Sequence, residues 1–549
     1  MRSATCLLII GHLIALPAFS EVLRVPSVYG TIQFALSNVS DGDTILVAPG
    51  IYVESLTTPP RVFTLKSEVR LDSSSTQFAV LDPTDVPGSD TLASLTLTGG
   101  RVFIEDMVIR NRSGMTDGRP SSISGGVVGD TAVHEISATR CLFDSVAGGI
   151  SQCDRITLRG CRFIGSKGSA VFTGLWRGKL FAYDTWFDGA NGGLVTSGRG
   201  CEIKNCLFTQ RGELSMFVGL GDSLYIENCR FVGLDTMRFN AVQLRPRCGS
   251  TIRDCVFENI VINGGNALWV TDTCFNQPKD WECVFKIINN RFVNCGSSIG
   301  GVQNGGEPIY IQCSEGSSQG FIALLDSNRI DSTGSVRGHA SGILLRASAV
   351  IRNTTFGDVL PHGKPQVAIY NRSLNDTVYL RFNSFSQDFS GVDYFLAGNT
   401  LVDARWNWWG HESGPYHPQN NPQGQGASVD DGIRFNPWLL SDPDTSTHGD
   451  TTESVGPEID FAPEQFSIRA FPNPFNAVTT LEIEVARAGE YEVVLYDVTG
   501  RVAANVFRGR IEHSQRLSVD AAGLSSGVYF ARLSGSEGAL AVGKVLLLK

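Results

Sequence analysis

Arg245 and Arg247 stand two positions apart, just after Gln243. On an extended strand such a spacing sends both guanidinium groups to one face. Two planar forks on one side suit the carboxylates of an acidic sugar, and a solvated basic patch is the bland reading of the same pair. Trp176, Trp186 and Trp269 add flat apolar rings for sugar stacking, although single tryptophans also fill cores, and no shared stripe is evident. Asp184 and Asp188 bracket Phe187 like an acid and base pair for glycoside hydrolysis. Asp184, however, falls in a repeated slot also filled by Asp106, Asn205, Asn228, Asp254 and Asn289, so turn duty explains it better. The chain has no phosphate loop, dinucleotide fingerprint, His-Glu-x-x-His helix or Gly-x-Ser-x-Gly elbow. The catalytic residues and any metal site stay open, with calcium expected only if the protein is a polysaccharide lyase.

The elements that position these residues are repeated. Cys141, Cys161, Cys206, Cys229 and Cys255 each stand two positions before a phenylalanine, at Phe143, Phe163, Phe208, Phe231 and Phe257. Before each lies a short apolar alternation and a residue that tolerates a turn, as in Ile156-x-Leu158, Gly160, Cys161, Phe163. The end of each copy falls at 109, 143, 163, 187, 208, 231, 257, 292, 330, 356, 385 and 409, a mean spacing near 27. Alternation points one side of each short strand inward, and strands this short bury enough only by stacking. The pattern predicts an all-β fold, a parallel β-helix of roughly 14 coils and about 65 Å. Leucine-rich repeats and propellers lack this beat. The longer intervals ending at Phe292 and Ile330 imply loops or missed coils.

The 549 residues carry 45 Lys plus Arg against 55 Asp plus Glu, a formal charge of -10, which disfavours nucleic acid as a partner. Residues 1–20 place Arg2 before an apolar run and end in small residues, as a secretory signal peptide does. No later run is long enough to span a membrane, so the mature chain is expected to lack a transmembrane segment and to be a monomer. The cysteines outside the main register, Cys153, Cys201, Cys248, Cys274, Cys283, Cys295 and Cys313, leave room for a local disulfide. Residues 441–463 are acidic and hold no Lys or Arg, as a flexible linker would. Residues 464–549 change to separated strands, Thr479–Val485, Tyr491–Tyr496 and Gly527–Leu533, of a small β-sandwich.

Two segments resemble known families. Val25 to Glu54, VPSVYGTIQFALSNVSDGDTILVAPGIYVE, resembles the opening of pectate-lyase-like right-handed parallel β-helices, which implies that Thr31 to Leu36 caps the first coil. The region around Asn407 and Trp409 resembles the last coil of such proteins and implies a lid containing Trp406, Trp408 and Trp438, so the β-helix would span 21–440. His339 and His411 follow glycines, yet Ala340 and Glu412 break the Gly-His-Gly motif of pectin hydrolases, and no catalytic role is carried over. Phe471-Pro-Asn-Pro-Phe-Asn476, Tyr496-Asp-Val-Thr-Gly-Arg501 and Leu524-Ser-Ser-Gly-Val-Tyr-Phe530 resemble type A sorting domains of the type IX secretion system. They also resemble the immunoglobulin-like domain of flagellar-hook cap proteins. The sorting resemblance implies an outer-membrane secretion machinery as partner and a secreted or surface location. These readings point to an exported or surface-displayed β-helix that presents a side to extracellular polysaccharide or another surface partner. A lyase or hydrolase for acidic polysaccharide and an adhesin-like stalk are the alternatives.

Overall fold

The structure, a computed structural model, describes residues 20–71, 77–87, 93–110, 121–125, 132–145, 148–165, 170–175, 178–188, 194–197, 200–210, 216–218, 224–234, 240–245, 249–262, 265–271, 284–297, 307–312, 322–331, 341–357, 365–370, 377–387, 390–394, 401–443, 467–471, 475–476, 478–485, 489–497, 501–511, 514–520, 523–535 and 538–548. Residues 1–19 of the expected signal peptide and most of the expected linker lie outside the described residues, as do Trp176, Arg247, Cys248, Cys274, Cys283, Cys313 and His339.

Alternating apolar residues in short segments stack into three long parallel sheets. One coil runs from Arg155–Arg159 in the first sheet, through Arg162–Ile164 in the second, to Val171–Leu175 in the third. The first sheet has 16 strands, the second 12 and the third 15, each strand paired with its counterpart one coil away. The first sheet is thus longer than the expected 14 coils, because Val22–Val25 and Ile433–Arg434 add strands at its ends. The long intervals hide no missed coil, since Phe257 pairs directly with Phe292, and Phe292 with Ile330.

Two internal columns hold the coils in register. Phe143, Phe163, Phe187, Phe208, Phe231, Phe257 and Phe292 stack with ring centroids 4.3 to 5.2 Å apart. Phe356, Phe385 and Trp409 continue the stack. Each buried ring contributes about 1.5–3 kcal/mol by leaving water. At the corner between the first and second sheets, positive φ angles occur at Asp106, Gly160, Asp184, Asn205, Asn228, Asp254 and Asn289, the slot assigned to turns from the sequence. Glycine, asparagine and aspartate enter this region most readily. The next residue of each coil points inward. Cys141, Cys161, Cys206 and Cys229 turn their thiols to the carbonyl oxygens of Ile104, Ala138, Ala182 and Ile203 in the preceding coil. Asn290, Asn328, Asn383 and Asn407 donate from the same slot to Ile252, Ile287, Ile351 and Leu380.

All eight cysteines among the described residues are buried free thiols, which includes Cys153, Cys201 and Cys295. The disulfide considered for those three is absent. Cys201 pairs with Leu180 and Leu224 as an ordinary inward residue of the first sheet.

At the N-terminal end the helix Ile32–Leu36 buries Ile32, Ala35 and Leu36, with Thr31 as its N-cap. Phe34 N–H donates to the Thr31 hydroxyl at 3.1 Å. At the other end Trp409 is fully buried and Trp438 packs against the core, whereas Trp406 is 45% exposed. Trp406 is therefore a turn residue with φ 60°, not part of the lid expected from its neighbours. Gly414 lies so close to Trp438 that an added Cβ would meet the indole at 2.3 Å.

The chain divides into units 1–448 and 449–549. In the second unit, Ser467–Phe471, Val478–Glu484 and Ser514–Asp520 form one antiparallel sheet. Val502–Ile511, Gly489–Asp497, Gly527–Gly535 and Gly538–Leu547 form another. Leu481, Ile483, Val493, Leu495, Leu533 and Val545 fill one core within this small β domain.

Candidate functional site

Parallel stacking turns an outward position of one strand into a row along the solenoid. On the third sheet, Gln243 pairs with Trp269, Trp269 with Tyr310, Tyr310 with Leu344, and Leu344 with Ala368. Neighbouring residues Leu268, Val270, Ile309 and Ile311 point into the barrel, so the row faces out. Tyr310, Leu344 and Ala368 are nevertheless buried, in an apolar cluster of their own outside the main core, with the half-buried Trp269 and Tyr370 packed against it. The Trp269 and Tyr310 rings lie parallel within 4°, with centroids 6.2 Å apart.

A second outward row lies two residues further along the strands. It contains Thr271, Gln312 and Arg346 in register, followed by Tyr370 next to the paired Leu345 and Ile369. Arg245 stands beside the paired Leu244 and Val270, at the start of this row. The Arg346 guanidinium sits 5.7 Å from the Tyr310 ring centre and 5.8 Å from that of Tyr370. Burial pushes the Tyr370 hydroxyl above its ordinary range; the positive charge of Arg346 opposes this, and the carboxylates of Glu307 and Asp393 reinforce it. At neutral pH Tyr370 is therefore a hydrogen-bond donor and not a base.

Two of the expected ligand residues, Arg245 and Trp269, thus share the third sheet. Trp186 does not join them. It belongs to the second sheet, beneath the Arg162 guanidinium at 4.4 Å, with its indole N–H donating to the Thr209 hydroxyl. Asp184 accepts from Asn205 and Asp188 from Thr209, each within its own ladder. His411 bonds Ser413 in a turn. Among the described residues no three His, Cys, Asp or Glu side chains converge on a common point. Tyr310, Arg346 and Tyr370 escaped the sequence reading. Their signal was the alternation Tyr310-x-Gln312, Leu344-x-Arg346 and Ala368-x-Tyr370, which lies outside the Cys/Asn-x-Phe beat.

No helix among the described residues is long and apolar enough to cross a membrane. Residues 92–314 match the right handed beta helix region, and residues 469–547 match the secretion system C-terminal sorting domain. No curated protein matches the chain. Among solved structures, the catalytic domain of GH87 alpha-1,3-glucanase in complex with nigerose is similar at 11% identity and a TM-score of 0.39, over 70% of each chain. The A-module of mannuronan C-5 epimerase AlgE6 from Azotobacter vinelandii is similar at 12% identity and a TM-score of 0.31, over 74% of this chain and 94% of that one. The receptor-binding protein of bacteriophage Det7, a tailspike, is similar at 11% identity and a TM-score of 0.28, over 96% and 98%. The sorting domain implies handling by the secretion machinery, export, and a surface or secreted location.

Proposed function

We propose that this exported β-helix holds an extracellular glycan against the outer face of its third sheet. The observation that carries this reading is the row in which Trp269 and Tyr310 lie parallel while Arg346 sits between Tyr310 and Tyr370. Tyr310 is itself buried beneath the row, and the half-buried Trp269 and Tyr370 offer apolar ring area to the carbon-hydrogen faces of a sugar. Arg346 and a protonated Tyr370 supply donors beside that area for hydroxyl or carboxylate oxygens. Binding is favoured over catalysis because Arg346 and Tyr370 offer donors, and burial pushes the Tyr370 phenol away from the ionised form that proton abstraction needs.

The test is incubation of the purified protein with neutral and acidic polysaccharides, with and without calcium, followed by mass spectrometry of retained ligand and products. Saturable retention without products is expected, weakened by Trp269→Ala and by Arg346→Gln. New reducing ends or unsaturated products would replace this reading with a hydrolase or a lyase. Retention of no polysaccharide would leave a structural stalk.

A further inference from the structure

The coil that contains Arg155, Arg159 and Arg162 presents all three side chains to solvent, on the outer faces of the first and second sheets. Each guanidinium lies over an aromatic ring of the next coil. Arg155 covers Phe181 at 4.3 Å, Arg159 covers Tyr183 at 4.3 Å, and Arg162 covers Trp186 at 4.4 Å. Lys179, paired in register with Arg155, adds a fourth exposed cation.

The carboxylates nearest in the ladders are occupied elsewhere. Glu135 is held by Arg101, Asp144 by Arg110 and Glu202 by Lys204. Asp154 accepts from the His134 backbone, Asp184 from Asn205, and Asp188 from Thr209. Stacking on a ring orients a guanidinium but leaves its N–H fork unused, and that fork matches a planar oxyanion. Arg155 and Arg159 lie four residues apart on one strand, about 13 Å, too far for one small anion to bridge. The occupant these grips fit is a polymer with repeated anionic groups.

We infer that this patch is a binding surface for acidic, carboxylate-bearing polysaccharide. Export sets the protein among extracellular polymers, and bidentate Arg–carboxylate contact is the chemistry the exposed forks supply. The inference shares the glycan class of the proposed function but uses another face of the solenoid, so it stands or falls on different residues.

The test measures binding of the full chain to polygalacturonate, to the same polymer fully methyl-esterified, to double-stranded DNA and to anionic phospholipid vesicles. Salt-sensitive binding to the charged polymer alone is expected. The triple variant Arg155→Gln, Arg159→Gln, Arg162→Gln should lose roughly tenfold or more in affinity while keeping a cooperative unfolding transition, its midpoint lowered only by the lost ring stacking, since the three side chains point away from the core. Replacing the three by lysine should leave intermediate binding, because charge is kept and the fork is lost. Trp269→Ala should leave this component intact. Loss on Trp269→Ala with none on the triple glutamine variant would overturn the patch and spare the third-sheet reading. Equal binding of the esterified polymer, or of DNA or vesicles, would overturn it as well, and so would no binding at all.

Discussion

The side-chain carbonyl of Asn328 accepts both the backbone N–H of Asn290, at 3.0 Å, and its side-chain N–H, at 3.1 Å. Asn328 in turn donates to the carbonyl oxygen of Ile287 at 2.8 Å. Removing this amide strands two buried backbone groups of the preceding coil, the Asn290 N–H and the Ile287 carbonyl. Asn328→Ala is expected to cost about 1–3 kcal/mol, read as a lower denaturant midpoint. Asn328→Cys should cost less, because the thiol of Cys206 makes the equivalent contact to Ala182 at 3.5 Å in the same column. Equal losses for the two variants would show that cysteine and asparagine do not substitute for one another in this slot.

The Phe208 ring lies between Phe187 at 4.8 Å and Phe231 at 4.9 Å. A phenylalanine removed from the middle of a close-packed stack leaves a cavity that its neighbours fill only in part. Phe208→Ala is expected to destabilise the first unit by about 3–5 kcal/mol, and Phe208→Leu by clearly less. Equilibrium unfolding in guanidinium, followed by the transition of the parallel sheets, gives both values.

Burial pushes the thiols of Cys153 and Cys295 up to about 12. At pH 8 they are protonated, so in the native protein these two thiols should react with a disulfide reagent slowly if at all and become accessible only on unfolding. In the unfolded chain a cysteine ionises near pH 8.5. Above that pH the unfolded state holds fewer protons than the native one, and stability should therefore fall as pH rises through the alkaline range toward about 12. A flat stability profile there would contradict the burial of these groups.

Asp403 behaves in the opposite sense. Burial alone would raise its carboxyl, but hydrogen bonds from Arg405 and Arg381 hold it at about 2. The stability this provides is present above the ordinary carboxylate range and is lost as pH falls toward about 2. Asp403→Asn should remove that part of the acid slope. It should also destabilise the protein at neutral pH, because Arg381 donates to Asp403 at 2.6 Å and is itself buried. Acid titrations of the two proteins, followed by their unfolding midpoints, provide the comparison.

The repeat was legible because inward slots recur by residue type. Cys161 and Phe163 state in sequence what the columns do in space, and the positive φ of Asn205 and Asn228 follows from their type. The outward rows carry no such constraint. Trp269, Tyr310 and Leu344 share a row although 41 and 34 residues separate them in sequence, since the loops between coils vary in length. Only the pairing register brings them together. The Arg155, Arg159 and Arg162 grips were hidden for the same reason, since each aromatic partner lies one coil away.

Trp406 shows where resemblance to a lid and the geometry of a turn part company. Its φ of 60° places a bulky residue in the corner slot that Asn205 and Asn228 fill elsewhere, and nearly half of its surface is exposed. Its backbone N–H donates to Pro437 and its carbonyl accepts from Phe382, contacts that do not depend on the side chain. A left-handed backbone costs an ordinary residue about 1–2 kcal/mol, a strain that glycine lacks and asparagine feels less. Trp406→Gly and Trp406→Asn should therefore leave stability unchanged or raise it by up to about 1 kcal/mol. Gly414→Ala, in contrast, forces a methyl group against Trp438 at a backbone φ of 75° and should lower the unfolding midpoint. If Trp406 instead closed the last coil, its loss would destabilise the protein as much as damage at Gly414. Thermal unfolding of the three variants side by side separates a strained corner from a lid.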